Sequence, residues 1–302
     1  MLKKFKENVG DSKNRYRLSD AEATRLGLGL NKSGRYRLNR KKVKELESIL
    51  SQPKMLVYDI ETSRGVFKAW WTGKQYLGHH QLIKEPAIIS IAWKWVGFDE
   101  VYTLTWDKNH CDKKMVEKFM KVYNSADVVV GQNNDRFDNR WVVARAIKWD
   151  LEVNNFVRSF DIMKQMKRIA RIPSYSMKFI TQFKGLIDKQ SHEGIYMWDM
   201  VEDGTVEEQK EYLQKMVDYN IGDIIATEDM FLKLRPYFGS VTHLGVALGK
   251  LRHTCPHCGG SNVEYYGTSI TTAGTRQIVM RCKDDGVQYK VSTKIYEDFL
   301  KG

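Results

Sequence analysis

The chain has 302 residues, of which 42% are hydrophobic and 12% aromatic, so a sizeable core is possible and a globally disordered protein is excluded. Its four cysteines are too few for a disulfide scaffold, and no apolar run approaches the roughly 18 residues that span a membrane. The net charge of +12 lies in two flanking regions: residues 1–54 have 15 Lys and Arg against 6 Asp and Glu, and residues 250–302 have 8 against 5. Two basic flanks favour a nucleic-acid partner; the alternative is that the lysines only keep the protein soluble.

Residues 1–54 form a basic N-terminal region in which the motif Arg-Tyr-Arg-Leu occurs twice, at 15–18 and 35–38. Each copy leads into a stretch of helical character, and a Gly-rich break separates the two. Ser19 and Glu22 have the spacing of a helix-capping box. The region is either a small helical module that binds nucleic acid or a basic linker with two marginal helices.

From residue 55 the pattern changes to that of a central domain, expected over residues 55–240. Strands are predicted at 55–60, 87–98, 100–106, 127–132 and 156–160. Helices are predicted at 111–126, 139–150, 161–170, 176–186 and 206–238. Three antiparallel strands followed by alternating helices and strands predict an α/β fold, with a mixed sheet flanked by helices.

The first strand ends in Val-Tyr-Asp-Ile-Glu-Thr, which places Asp59 and Glu61 two residues apart. Residues with this spacing project from the same face of a strand, so the two carboxylates lie side by side. Adjacent carboxylates repel each other in a half-buried site, and a divalent cation removes this repulsion. Oxygen ligands suit Mg²⁺ or Mn²⁺. The alternative is a surface acid pair, or a cap, after the strand.

Two later segments add polar side chains that can meet this pair. Asn133 and Asp138 follow the fourth predicted strand, with Phe137 as an apolar anchor. Tyr219 and Asp223 lie four residues apart on a predicted helix and therefore share a face. Four carboxylates from three segments can hold two metal ions roughly 4 Å apart, as two-metal phosphodiester-cleaving sites do.

In order and form, the three segments resemble the motifs of the DEDD superfamily of 3′–5′ exonucleases, which share an RNase H-like (DnaQ-like) fold. Tyr219 and Asp223 match the third motif of the DEDDy branch, since the other branch has a histidine where this chain has Asp218. The likeness is greatest to the proofreading domains of family B DNA polymerases. It covers about residues 55–238, and the segment 174–183 is similar to the one that precedes the third motif.

The resemblance implies a metal-dependent hydrolase that releases nucleoside 5′-monophosphates from 3′ ends. The implied ligands of two Mg²⁺ or Mn²⁺ ions are Asp59, Glu61, Asp138 and Asp223. Tyr219 is implied to orient the attacking water, and Asn133 and Phe137 to contact the substrate strand. No protein nucleophile is needed for this reaction.

Residues 250–302 are expected to form a separate small β domain. Cys255 and Cys258 make a Cys-x2-Cys knuckle, and 23 residues separate Cys258 from Cys282. This spacing is typical of zinc ribbons, in which the metal is structural. The basic stretch 275–283 offers a second contact for nucleic acid.

A fourth thiol is missing from this pattern. The position expected for it holds Asp285, which can also ligate zinc. His257 and His253 are the rival fourth ligands, and a ribbon that holds without metal is the alternative. Cys111 is isolated and is expected to be a small apolar filler.

The sequence therefore predicts a 3′–5′ exonuclease for single-stranded DNA or frayed 3′ ends, in the cytoplasm of a bacterial cell or a bacteriophage-infected host. Only 64 residues follow residue 238, so no polymerase domain is expected there. The protein is expected to act in replication, repair or recombination, alone or beside a polymerase, helicase or recombinase. Three alternatives stay open: an exoribonuclease, since the motifs do not read the 2′-OH, a non-catalytic nucleic-acid-binding protein, and a structure-specific endonuclease.

Overall fold

The computed structural model describes residues 15–17, 35–37, 54–186, 194–238, 243, 245 and 250–301. The chain divides into two compact units. The sheet unit consists of residues 54–234, and the cysteine unit consists of residues 1–53 and 235–302. The helices predicted within residues 19–50, with their capping box, lie outside the described residues.

Strands and helices in the described ranges are numbered in chain order. The strands are β1 Arg15–Arg17, β2 Arg35–Arg37, β3 Met55–Thr62, β4 Val66–Phe67, β5 Leu82–Lys84, β6 Ile88–Trp95, β7 Tyr102–Thr105, β8 Val128–Gly131, β9 Arg158–Asp161, β10 Val263–Ile270, β11 Arg276–Cys282 and β12 Gln288–Ser292. The helices are α1 Lys113–Asn124, α2 Asp138–Lys148, α3 Ile162–Ile169, α4 Met177–Lys184, α5 Ile195–Asp203, α6 Val206–Leu234 and α7 Thr293–Lys301. None of the described helices is long and apolar enough to cross a membrane.

The sheet unit is built on a five-stranded mixed sheet with the order β7-β6-β3-β8-β9. Strands β7, β6 and β3 pair antiparallel, whereas β8 and β9 run parallel to β3. The direction therefore changes at β3, and the carboxyl ends of β3, β8 and β9 meet at one edge. Such an edge of an α/β sheet is where ligands usually bind. The structure confirms the predicted mixed α/β architecture.

Helices pack on the sheet through two clusters of buried apolar side chains. The first joins Phe119 of α1 and Val142 of α2 to the sheet residues Tyr58 and Trp93. The second joins α5 and α6 to the start of β6, with Met197 and Met216 among its members. Burial of these side chains is the main favourable term in folding of this unit.

Strand β6 is buried along its whole length, including the charged Lys94. The ammonium of Lys94 pairs with the carboxylate of Glu228 on α6, which also accepts a hydrogen bond from the backbone N–H of Gly97 at 2.7 Å. Both charges are thus compensated inside the protein, as buried charges require. The pair ties α6 to the middle of the sheet.

A second buried charge cluster centres on Asp112, directly before α1. Its carboxylate accepts from Arg145 Nε at 2.6 Å and Nη2 at 2.8 Å, from the Trp149 indole N–H at 2.9 Å and from the backbone N–H of Ile88 at 3.0 Å. Asp112 is completely buried, and these four donors compensate its charge inside the protein. The cluster joins α1, α2 and β6.

Asp112→Ala is expected to destabilise the sheet unit by about 3–5 kcal/mol, because it leaves the buried guanidinium of Arg145 without its bidentate partner. Urea unfolding followed by circular dichroism measures the change. The control is Asp99→Ala, an exposed acid in the turn between β6 and β7, which should change stability by less than about 0.5 kcal/mol. Equal stability of the two variants would contradict this account of the cluster.

The cysteine unit contains the antiparallel sheet β10-β11-β12. Val263, Met280 and Val291 pack at its centre, against Ile295 and Phe299 of α7. The predicted small β strands therefore pack together with the C-terminal helix α7, which the sequence pattern did not predict. In the same unit, the repeated Arg-Tyr-Arg segments β1 and β2 pair with each other antiparallel, Tyr16 opposite Tyr36.

The predicted long helix at 206–238 is shorter than expected. Helix α6 ends at Leu234 and is followed by a 3₁₀ turn, Arg235–Tyr237. Pro236 accounts for the early end, because a proline lacks the N–H that the next helical turn needs and disfavours helical geometry in the residue before it.

Candidate active site and cysteine cluster

Three carboxylates meet at the edge of the sheet where β3 ends. Ligand oxygens of Asp59, Glu61 and Asp223 all lie within 4.8 Å of one another. Asp59 and Glu61 come from one face of β3, and Asp223 comes from α6, which packs on β3. Three negative charges at this spacing repel strongly, and their oxygens form a ligand set that suits Mg²⁺ or Mn²⁺. The cluster can therefore hold a divalent metal ion.

The position of α6 against β3 is fixed by Asn220. This completely buried side chain donates from Nδ2 to Ser90 Oγ at 3.3 Å and to the backbone carbonyl of Asp59 at 3.5 Å. Tyr219 directly precedes Asn220 in the sequence, and Asp223 follows Asn220 by about one helical turn. Asn220 was not among the predicted site residues, although an amide in the buried stripe of α6 could have indicated its role.

Asp138, the fourth predicted carboxylate, lies next to this group rather than within it. It is buried, and its Oδ1 accepts from the backbone N–H of Ile60 at 3.2 Å, between Asp59 and Glu61 on β3. Burial raises the pKa of Asp138 to about 7, and the charge of Asp161 acts in the same direction. A cation bound by the neighbouring carboxylates would favour its ionised form.

The loop between β8 and α2 is held by Asp161, at the end of β9. One of its oxygens accepts from the backbone N–H of Asn133 at 3.1 Å, and the other accepts from that of Asp135 at 3.4 Å. Asn133 has a φ of 64°, a left-handed conformation that Asn tolerates better than most residues. Asp161 also caps α3 by accepting from the Lys164 N–H at 3.1 Å. Its contacts with the loop were not predicted.

Asp135, in the loop before α2, belongs to a network of polar side chains. It is half-buried, accepts from the Ser159 hydroxyl at 2.5 Å and lies 3.2 Å from the ammonium of Lys164. Asn139 joins the same network, because its Nδ2 donates to Ser159 and its Oδ1 accepts from the Tyr58 hydroxyl at 2.5 Å. The network fixes the first turn of α2, which carries Asp138.

An open cleft of about 610 Å³ adjoins the carboxylates. It is lined by Asp59, Asp223, Gln132, Asn133, Met163, Lys167, Pro173, Ser174, Tyr175, Ser176 and Met177. The segment before α4 is held in place because the Tyr175 hydroxyl donates to the Ala170 carbonyl at 2.8 Å and Ser176 caps α4. One cleft is therefore lined by the acids Asp59 and Asp223, by Asn133 and by residues 174–177 of the segment 174–183.

Two aromatic residues were predicted for the site. Tyr219 lies on α6, and Phe137 lies directly before α2. Tyr219 is buried and shares a helix face with Asp223. Phe137 is 39% exposed and contacts Trp141, with ring centroids 6.1 Å apart. Phe137 therefore has part of its ring free for another contact.

The cysteine unit holds a second candidate metal centre. Ligand atoms of Cys255, Cys258, Cys282 and Asp285 all lie within 4.8 Å of one another, and the cysteines are unbridged. The backbone N–H of Gly260 donates to Cys258 Sγ at 3.2 Å, which orients the thiol at the knuckle. Three sulfur ligands and one carboxylate are a set that Zn²⁺ accepts, so this cluster can hold zinc.

Asp285, rather than a histidine, completes this cluster. Its Oδ2 lies 3.1 Å from Arg235 Nη2, and Arg235 Nε donates to the ring of His257 at 3.2 Å. Burial lowers the pKa of His257 to about 3, with the Arg235 charge adding to the effect, so the imidazole is neutral. The ring of His253 packs against Phe299. Both histidines lie outside the group of four ligand atoms.

No protein-family model and no curated protein matches the chain. Among solved structures, the chain is similar to the family B DNA polymerase from the hyperthermophilic archaeon Pyrobaculum calidifontis, with 14% sequence identity and a TM-score of 0.45. The similarity covers 61% of this chain and 25% of the polymerase, so the chain spans about a quarter of that protein's length.

Proposed function

We propose that the protein is a metal-dependent 3′–5′ exonuclease of the DEDDy type, with an RNase H-like core in residues 55–240. The observation that carries the proposal is the convergence of Asp59, Glu61 and Asp223 within 4.8 Å beside an open cleft. A protein that only binds nucleic acid gains nothing from such a cluster, because carboxylates without a bound cation repel a polyanion.

The chain's own residues divide the work of phosphodiester hydrolysis. The proposed ligands of two divalent ions are Asp59, Glu61, Asp138 and Asp223. Ions held there would supply a nucleophilic water and would stabilise the leaving 3′ oxygen. Tyr219, on the same helix face as Asp223, orients the attacking water through its hydroxyl.

The cleft suits the last nucleotides of a single strand. Lys167 supplies a cation for a backbone phosphate, and Met163 and Met177 supply apolar surface for a base. Asn133 lines the same cleft, and the half-free ring of Phe137 offers a stacking contact. These two residues are the proposed contacts with the substrate strand.

The flanking regions are proposed to hold nucleic acid and to stabilise the protein. Residues 1–54 have a charge of +9 and residues 250–302 a charge of +3, which favours contact with phosphates. The Cys3Asp cluster is proposed as a structural zinc ribbon, and its unbridged thiols suit a reducing cytoplasm. We place the activity in bacterial or bacteriophage replication, repair or recombination, alone or beside a polymerase.

The test is digestion of a 5′-labelled single-stranded DNA with Mg²⁺ or Mn²⁺, beside an RNA of the same sequence and a flap substrate. The expected result is a ladder of products shortened one nucleotide at a time from the 3′ end. A ladder on RNA alone would make the enzyme an exoribonuclease, and a single internal cut would make it an endonuclease. Tight binding without cleavage of any substrate would overturn the catalytic proposal.

A further inference from the structure

A second surface of the sheet unit carries large aromatic side chains that are exposed to solvent. It consists of residues 66–80, here called the aromatic loop, which follow β3 in the chain. Trp70 is 91% exposed, Trp71 65% and Tyr76 96%, and Phe67 at the base of the loop is 38% exposed. Rings this exposed contribute almost nothing to the core, and several large exposed rings in one short segment are typical of a binding surface.

The base of the aromatic loop is a short hairpin, formed by pairing of β4 with β5. Phe67 lies opposite Leu82, and the Lys68 N–H donates to the Gln81 carbonyl at 2.8 Å. The Gln81 side chain in turn accepts from the Gly78 N–H at 2.8 Å and donates to the Lys68 carbonyl at 3.2 Å. The two ends of the loop are therefore joined, and the exposed Trp70, Trp71 and Tyr76 lie in the segment between them.

The charge of the aromatic loop identifies the kind of ligand. Residues 64–84 contain no Asp or Glu, and Lys68, Lys74, His79 and His80 are exposed among the rings. Exposed rings beside the two lysine cations, Lys68 and Lys74, fit a ligand that has both flat aromatic faces and negative charge. Single-stranded nucleic acid has both, because its bases stack on aromatic side chains while Lys contacts its phosphates.

The aromatic loop begins close to the carboxylates along the chain. Val66 comes five residues after Glu61, and five extended residues span at most about 18 Å. The base of the loop is therefore within about 18 Å of the edge of the sheet where the acids lie. A single strand of several nucleotides whose end occupies the cleft is long enough to span this distance.

We propose that the aromatic loop stacks unpaired bases of a nucleic-acid strand, as a binding site separate from the cleft. The inference rests on the proposed function for the identity of the strand, since the same molecule would have its 3′ end at the carboxylates. The loop would hold the strand against release between successive cleavage steps.

The test measures binding of a fluorescein-labelled single-stranded oligonucleotide by anisotropy, in buffer without Mg²⁺ or Mn²⁺. Removing both rings in Trp70→Ala/Trp71→Ala should raise the Kd about tenfold or more, because stacking stabilises binding by about 1–3 kcal/mol per base. Trp70→Phe/Trp71→Phe keeps two rings and should bind within about threefold of the wild type. The matched control is Phe156→Ala, an aromatic residue that is 87% exposed outside the loop and should leave Kd unchanged.

Three results would overturn the proposal. The first is unchanged oligonucleotide binding by the alanine variant, and the second is equally weak binding by the alanine and phenylalanine variants. The third is that the alanine variant loses binding to anionic lipid vesicles but keeps its binding to the oligonucleotide. All substituted side chains are exposed, so the variants should keep their fold, which melting curves check. Because no metal is present, ring-dependent binding can be found even if cleavage is never observed. Cleavage without ring-dependent binding would leave the nuclease proposal standing and remove this one.

Discussion

Under the proposed function, Asp223→Asn is expected to lower the rate of Mg²⁺-dependent cleavage of single-stranded DNA by about a thousandfold or more. The amide removes one of three carboxylate charges that lie within 4.8 Å of one another, and so weakens the site for a cation. Bound metal ions stabilise the transition state of such reactions by several kcal/mol, and each 1.36 kcal/mol is a factor of ten in rate. The initial rate of nucleotide release, measured at a fixed Mg²⁺ concentration, gives the change.

The matched control is Asp218→Asn, which makes the same chemical change five residues earlier on α6. Asp218 is exposed and accepts from Gln214 Nε2, away from the cluster, so this variant should keep its rate within about twofold. A second readout does not depend on cleavage. Mn²⁺ should raise the Tm of the wild type and of Asp218→Asn but not that of Asp223→Asn, since a ligand stabilises only the state that binds it. Full activity of Asp223→Asn would mean that the metal centre has been assigned to the wrong residues.

The proximity of the three acids is the part of the site that sequence spacing predicts well. Asp59 and Glu61 share a face because a strand repeats every two residues, and this holds whatever the strand packs against. Tyr219 and Asp223 share a face because four residues make about one helical turn. Spacing alone does not show that this face of β3 meets this face of α6. That contact depends on the order of the strands and helices in the fold. The catalytic roles of these residues stay predictions.

The residues that hold the site in place were harder to predict, because their contacts join segments far apart in the chain. Asp161 accepts from the backbone N–H of Asn133, a residue with a positive φ that sequence spacing does not reveal. Arg235 contacts Asp285 and His257, which lie 50 and 22 residues later. Contacts of this kind depend on tertiary structure, so a periodic pattern carries no sign of them.

Some elements were missed for local reasons. Helix α5 has polar and apolar residues mixed in one short stretch, and strand β4 has only two residues, too few for any periodic pattern. Helix α7 follows β12 without a break, so its residues read as a continuation of the alternating strand. For α5, packing of Met197 and Val201 in the core of the sheet unit supports the helix, which local propensity does not record.

Cys282→Ser is expected to lower the zinc content of the purified protein from about one ion per chain to near zero and to unfold the region around β10-β11-β12. Zinc binding supplies about 10–16 kcal/mol of apparent folding free energy in small zinc domains, and a core of this size cannot replace it. Metal analysis gives the stoichiometry, and the melting curve should lose the transition of the cysteine unit.

Cys111→Ser is the matched control, because Cys111 is a half-buried cysteine of the sheet unit, outside the cluster. It should keep full zinc content and the same melting curve. Asp285→Cys tests the fourth ligand directly: a thiolate in place of the carboxylate should retain zinc and tighten its binding, since four thiolates form the commonest kind of structural site. Asp285→Ala should lose zinc and also leave Arg235 without the carboxylate 3.1 Å from its Nη2. Zinc retained by Cys282→Ser would show that these four residues are not the ligands, and the cluster would then be held by packing around Met280 and Tyr289 alone.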